Sequence, residues 1–192
     1  MARWEGNARG RLEEAALTLF EEQGYDRTTI AQITQRANLT ERSFYRWFTD
    51  KREVLFGGSR ELEEQLVSAI AAVPAGTPAL PTLLAAFATA PQVFRPREFL
   101  VRRAAVIAAN PPLHERELIK LVSISEALTN ALLGRGIEAE TARLATDLGL
   151  AVLRLTAQRW AAEEHADYDG FAEALSAAAA DLLAVAAEGA PG

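Results

Sequence analysis

Between Gly24 and Asp50 the sequence leaves room only for helices of about two turns. Gly24 can end a preceding helix, Thr29 and Gln32 have the spacing of a capping box, and Asn38 tolerates the left-handed backbone of a sharp turn. Thr40 is a good N-cap for a further short helix, and Asp50 for a fourth, longer one. Two short helices joined by about four residues, behind a longer one, form a helix-turn-helix. The second must bury one side and expose the other. In "ANLTERSFYRWF" the inward set is Leu39, Phe44 and Phe48, which leaves Thr40, Glu41, Arg42, Ser43, Tyr45 and Arg46 for the outer side. Hydroxyls suit phosphates and arginine suits guanine edges, so the outer side has the chemistry of a surface that enters a DNA groove. Glu41 would accept from a cytosine amino group or pair with Arg42. Trp47 is expected to be buried between helices.

Outside this segment apolar residues recur at helical spacing, alanine is abundant and β-branched residues are sparse, so the chain is expected to be all-α. A first helix is predicted over about 7–23, short helices over about 29–36 and 40–47, and a long fourth helix from near Lys51. "VPAGTPALP" ends the fourth. Five more helices are predicted over about 80–90, 95–109, 112–133, 138–164 and 169–188, about nine in all. The expected organisation is a DNA-binding head over 1–50 and a helical body over 51–192.

The net charge of −6 argues at first against a nucleic-acid partner. Its distribution changes that. Residues 1–60 hold 10 of the 20 basic and 9 of the 26 acidic side chains, and 27–52 hold six basic residues (Arg27, Arg36, Arg42, Arg46, Lys51 and Arg52) against Glu41 and Asp50. With no cysteine, disulfide frameworks, thiolate metal sites and cysteine nucleophiles are excluded. No stretch reads as a signal peptide or a membrane span, and the expected location is the cytoplasm. His114 and His165 read as solvated helix ends, and no nucleophile–base pair, phosphate loop or metal motif appears, so neither enzyme activity nor a metal or cofactor is expected.

Over residues 16–56 the sequence resembles the TetR family of transcriptional regulators. The resemblance rests on Phe20, Gly24, Tyr25, Thr28, Thr29 and Ile30, then Phe44, Tyr45, Phe48, Lys51 and Leu55, at the family's spacing. It implies a regulator, most often a repressor, that binds a palindromic double-stranded operator as a homodimer and leaves it when a small effector binds. Thr29 matches a phosphate-contacting position, Thr40, Glu41, Arg42 and Ser43 the opening of the recognition helix, Tyr45 a DNA-contacting tyrosine, and Lys51 a lysine that reaches phosphate. Asn38 and Arg42 stand where many members have glycine, and Trp47 where histidine or tyrosine is common, so base preference does not carry over.

The resemblance also implies that 51–192 is an effector-binding and dimerisation body, with an effector pocket within the middle helices and a dimer interface on the last two. Phe87, Phe94, Phe99, Val106, Leu118, Val122, Leu153 and Trp160 are candidate pocket-lining or core residues. Arg102 and Arg103 would meet an anion there or lie at the surface or an interface. Leu148, Val152, Leu155, Leu175 and Leu182 are candidates for the interface. An acidic chain carrying Glu41 also fits a helical sensor or scaffold that acts by protein–protein contact without DNA.

Overall fold

The computed structural model describes residues 8–162 and 170–188. Among them are nine α-helices and no strand. They are α1 Ala8–Gln23, α2 Ile30–Arg36, α3 Glu41–Trp47, α4 Ser59–Ala72, α5 Ala79–Phe87, α6 Arg97–Ala108, α7 Pro111–Gly134, α8 Ala139–Ala162 and α9 Phe171–Glu188.

Local sequence explains the ends of the short helices. Gly24 takes φ +87° and its N–H donates to the Phe20 carbonyl, closing α1. Thr29 and Gln32 form the capping box, side chain to backbone in both directions. Asn38 takes φ +52°, with Asn38 N–H on Gln35 and Leu39 N–H on Thr34, the hydrogen-bond pair of a Schellman cap. The Thr40 hydroxyl accepts from the Ser43 N–H at 3.2 Å and starts α3.

The fourth helix departs from expectation. Asp50 does act as a cap, since its Oδ1 accepts from the N–H groups of Arg52 and Glu53 at 2.7 and 3.2 Å. What it caps is a 3-10 turn over Arg52–Leu55, and α4 starts only at Ser59. Gly57 and Gly58 separate the two. A Cβ at Gly57 would stand 2.6 Å from the Glu13 carboxylate and 3.0 Å from the Phe48 ring, so any other residue there would have to displace both side chains.

The chain forms two compact units. The first joins residues 1–60 to 95–120, and the second joins 61–94 to 121–192. The first has a core of Leu12, Ala16, Leu17, Phe20, Ile33, Phe44, Phe48, Val54 and Leu55, continued by Phe99, Val106, Ile107 and Leu113. The core that supports α3 therefore extends past residue 50 into α6 and the start of α7. The second unit packs α5, α8 and α9 around Leu83, Phe87, Val152 and Leu175, with Leu66 and Ile70 of α4 and Leu128 and Leu132 of α7. Gly149 lets α8 lie against Phe87 and Leu83, which a Cβ would meet at 3.1 and 3.2 Å. Arg135 closes α4 by donating to the carbonyls of Ile70, Val73 and Pro74 at 2.7–2.9 Å, a cation at the negative end of a helix.

Candidate nucleic-acid interface

Helix α3 has one buried and one open side. Phe44 and Phe48 are buried, with ring centres 5.3 Å apart, and Leu39 packs beside them. Glu41, Arg42, Tyr45 and Arg46 are exposed at helical neighbouring positions. Tyr45 is 57% exposed although it is a large aromatic group. Trp47 is 41% exposed and lies 5.4 Å from the Arg46 guanidinium, so the expectation that it is buried does not hold. In a helix of seven residues the inward side is filled by Phe44 and Phe48.

Several hydroxyls and cations of this region already have partners. Thr40 Oγ1 shares a hydrogen bond with Ser43 Oγ at 3.0 Å, besides its capping bond. Gln32 Oε1 accepts from the Thr29 N–H and hydroxyl and from Gln23 Nε2. Arg36 pairs with Glu22, whose carboxyl the hydrogen bond from Arg36 holds below its ordinary value. Arg52 pairs with Asp50 at 3.1 Å.

Lys51 differs most from expectation. Its Nζ donates to the carbonyls of Tyr25 and Thr28 at 2.7 and 2.9 Å and lies 4.1 Å from the centre of the Tyr25 ring. Burial lowers its pKa, with Asp26 opposing. Two of its three donors thus hold the entry to α2 against the chain leaving α3. No local pattern signals this bond, because its partners lie 23 and 26 residues away.

The remaining sites divide differently from the sequence reading. The eight pocket candidates fall in both units. Phe99 and Val106 belong to the first unit's core, while Phe87, Phe94 and Leu153 belong to the second's. Leu118 and Val122 are exposed, and Trp160 is buried. A depression of about 490 Å³ lies elsewhere, lined by Thr77, Pro78, Arg135, Gly136, Ile137 and Thr141 among others. Of the interface candidates, Val152 and Leu175 are buried in the second unit, and Leu155 and Leu182 pack against the same core. Leu148 remains exposed, beside Leu144 on α8, with Leu183 and Val185 exposed on α9. His114 is exposed in the first turn of α7, and His165 lies outside the described residues. Among the described residues no group of His, Asp or Glu could hold a metal ion, and no helix is long and apolar enough to cross a membrane.

Comparison with known proteins decides what the α1–α3 geometry belongs to. Residues 12–56 match the profile of bacterial regulatory proteins of the tetR family. This head segment is that of the TetR family. A 79-residue stretch, 41% of the chain, is 35% identical to the HTH-type transcriptional regulator TcmR of Streptomyces glaucescens, and the match spans 35% of that relative's length. The fold extends over nearly the whole chain. A transcriptional regulator (TerR/AcrR family) from Aquifex aeolicus superposes with TM-score 0.60 at 18% identity, covering 93% of this chain and 99% of that one. NalD, the secondary repressor of the MexAB-OprM multidrug efflux pump in Pseudomonas aeruginosa, superposes with TM-score 0.59 at 20% identity, covering 92% and 95%. At these identities the two structures share the fold. The helical segment beyond the head therefore shares the fold of these two structures.

Proposed function

We propose that the chain is a DNA-binding transcriptional repressor that works as a homodimer on a palindromic double-stranded operator and is released by a small effector. One observation carries the reading: α3 keeps Glu41, Arg42, Tyr45 and Arg46 exposed together while Phe44 and Phe48 fix it to α1. A globular protein that made no use of this side would gain little from leaving Tyr45 exposed amid arginines. In this reading Arg42 and Arg46 face base edges, Glu41 limits which bases are accepted, and Tyr45 and Ser43 set the register on phosphates. Thr29 and Thr40 shape the helix starts, and Lys51 acts through the turn it holds.

The effector reading draws support from the chain's second compact unit, which has a core of its own, and the repressor reading from the likeness to NalD. An effector would act by binding two spacings of paired heads with different affinity. Such a repressor would work in the cytoplasm, on DNA.

The test is selection of bound duplexes from a random pool, followed by titration of the selected duplex across salt. A DNA-binding head gives affinity that falls linearly with log salt, and Arg42→Ala with Tyr45→Ala abolishes it while the oligomeric state is kept. Repeating the titration with metabolite mixtures identifies what releases the DNA. If no duplex is selected even at low salt, the scaffold reading replaces this one.

A further inference from the structure

The 3-10 turn over Arg52–Leu55 is held from two sides. In front, Lys51 ties it to the Tyr25 and Thr28 carbonyls, and Val54 and Leu55 share a core with Phe44 of α3 and Phe48 just after it. Behind, three cations of α6 and the first turns of α7 reach it. Arg103 donates its Nε–H to the Leu55 carbonyl at 2.6 Å, and its guanidinium lies 4.9 Å from the centre of the Phe56 ring. Arg116 and Lys120 both meet the carboxylate of Glu53, the latter at 3.1 Å. Arg102 adds a fork onto Glu14 and Glu21 of α1, at 2.6 Å each. In these pairs the anions stand on α1 and the turn, and the cations on α6 and α7. None of these four cations belongs to the exposed side of α3.

We infer that Arg103, Arg116 and Lys120 are positioning residues for DNA binding, holding the 52–55 turn and, through it, α3. The inference rests on the DNA-binding reading above. A shift of α6 or of the start of α7 would be passed to α3 through these side chains.

The experiment combines hydrogen exchange with DNA binding on the full-length chain. Exchange is followed over residues 41–56, and affinity is measured with the duplex that the unaltered chain selects. Arg103→Ala, and separately Arg116→Ala with Lys120→Ala, should speed exchange in 41–56 by about tenfold. They should also weaken DNA binding by about tenfold, with the slope of log K against log salt unchanged, because no phosphate contact is lost. Glu53→Gln should act in the same direction, and Arg116→Ala should add little on top of it. Arg103→Lys should restore part of the effect.

Unchanged exchange in 41–56 overturns the inference whatever the DNA does. So does a salt slope that falls by about 0.9 for each cation removed, since the cations would then be phosphate contacts. If Arg103→Ala fails to fold, the Arg116→Ala/Lys120→Ala variant decides, as both of those side chains are partly solvated already. If the unaltered chain selects no duplex, the functional reading fails by itself, and the exchange result still decides the positioning role.

Discussion

Asn38 takes a positive φ in the turn between α2 and α3, where its N–H and that of Leu39 close the C-terminus of α2. An L-residue with a Cβ gives up about 1–2 kcal/mol in this conformation, and asparagine gives up less than most. Asn38→Ala should therefore lower stability by less than that, about 1 kcal/mol in urea melts, and Asn38→Gly should be the more stable of the two variants. Equal midpoints for the two would show that the left-handed turn does not limit stability. This position is legible in the sequence because its cause is local: a helix end, a turn and a new N-cap within a few residues. Lys51 is not, since its partners are carbonyls more than twenty residues back. Trp47 misleads for a related reason. Aromatic character says that a side chain gains by burial, and only the packing of Phe44 and Phe48 says that the inward side is already full.

At the scale of elements, caps give the short helices correctly, and the fourth helix escapes them. The pattern Phe56-Gly57-Gly58 is visible, but a long apolar periodicity after Asp50 outweighs it. The 52–55 turn that replaces the first part of that helix carries Glu53. Burial would raise the Glu53 pKa, yet hydrogen bonds from Arg116 and Lys120 outweigh this and hold it below the ordinary value of 4.5. Folded Glu53 thus binds a proton less readily than unfolded Glu53. Its contribution is fully present above the unfolded value and is lost as pH falls through the folded one. The unaltered chain should lose stability on acidification from about pH 5 to about pH 3, and Glu53→Gln should lose measurably less over the same window. Urea midpoints at several pH values measure the difference between the two. Parallel curves would mean that the three-residue cluster contributes nothing to folding. Asp50, likewise held below its ordinary value by hydrogen bonds that outweigh its burial, acidifies the same turn in both proteins and cancels from the comparison.

For the molecule as a whole, charge follows the two units rather than the order of the chain. The segments 1–60 and 95–120 carry 16 basic and 12 acidic residues, a net +4, and the remainder carries 4 and 14, a net −10. A cut at residue 60 hides this, because the cations that neutralise Glu14, Glu21 and Glu53 come from α6 and α7. In the proposed function an acidic second unit would resist nonspecific adhesion to DNA and leave binding to the head. One recognition helix reads few base pairs, so an operator needs two heads about one helical turn, roughly 34 Å, or a multiple of it apart. If the proposed dimer forms on the last two helices, a second copy would cover the exposed Leu144 and Leu148 on α8 and Leu183 and Val185 on α9. Leu144→Glu with Leu148→Glu should leave helix content intact and yield monomers in sedimentation. Those monomers should bind a palindromic duplex no better than a single half-site. If this variant still forms dimers, assembly uses another face, and the exposed Leu118, Ile119, Leu121 and Val122 of α7 become the next surface to charge. If it forms monomers that keep the full preference for the palindrome, the two heads do not depend on α8 for their pairing, and dimeric reading of the operator is wrong for this chain.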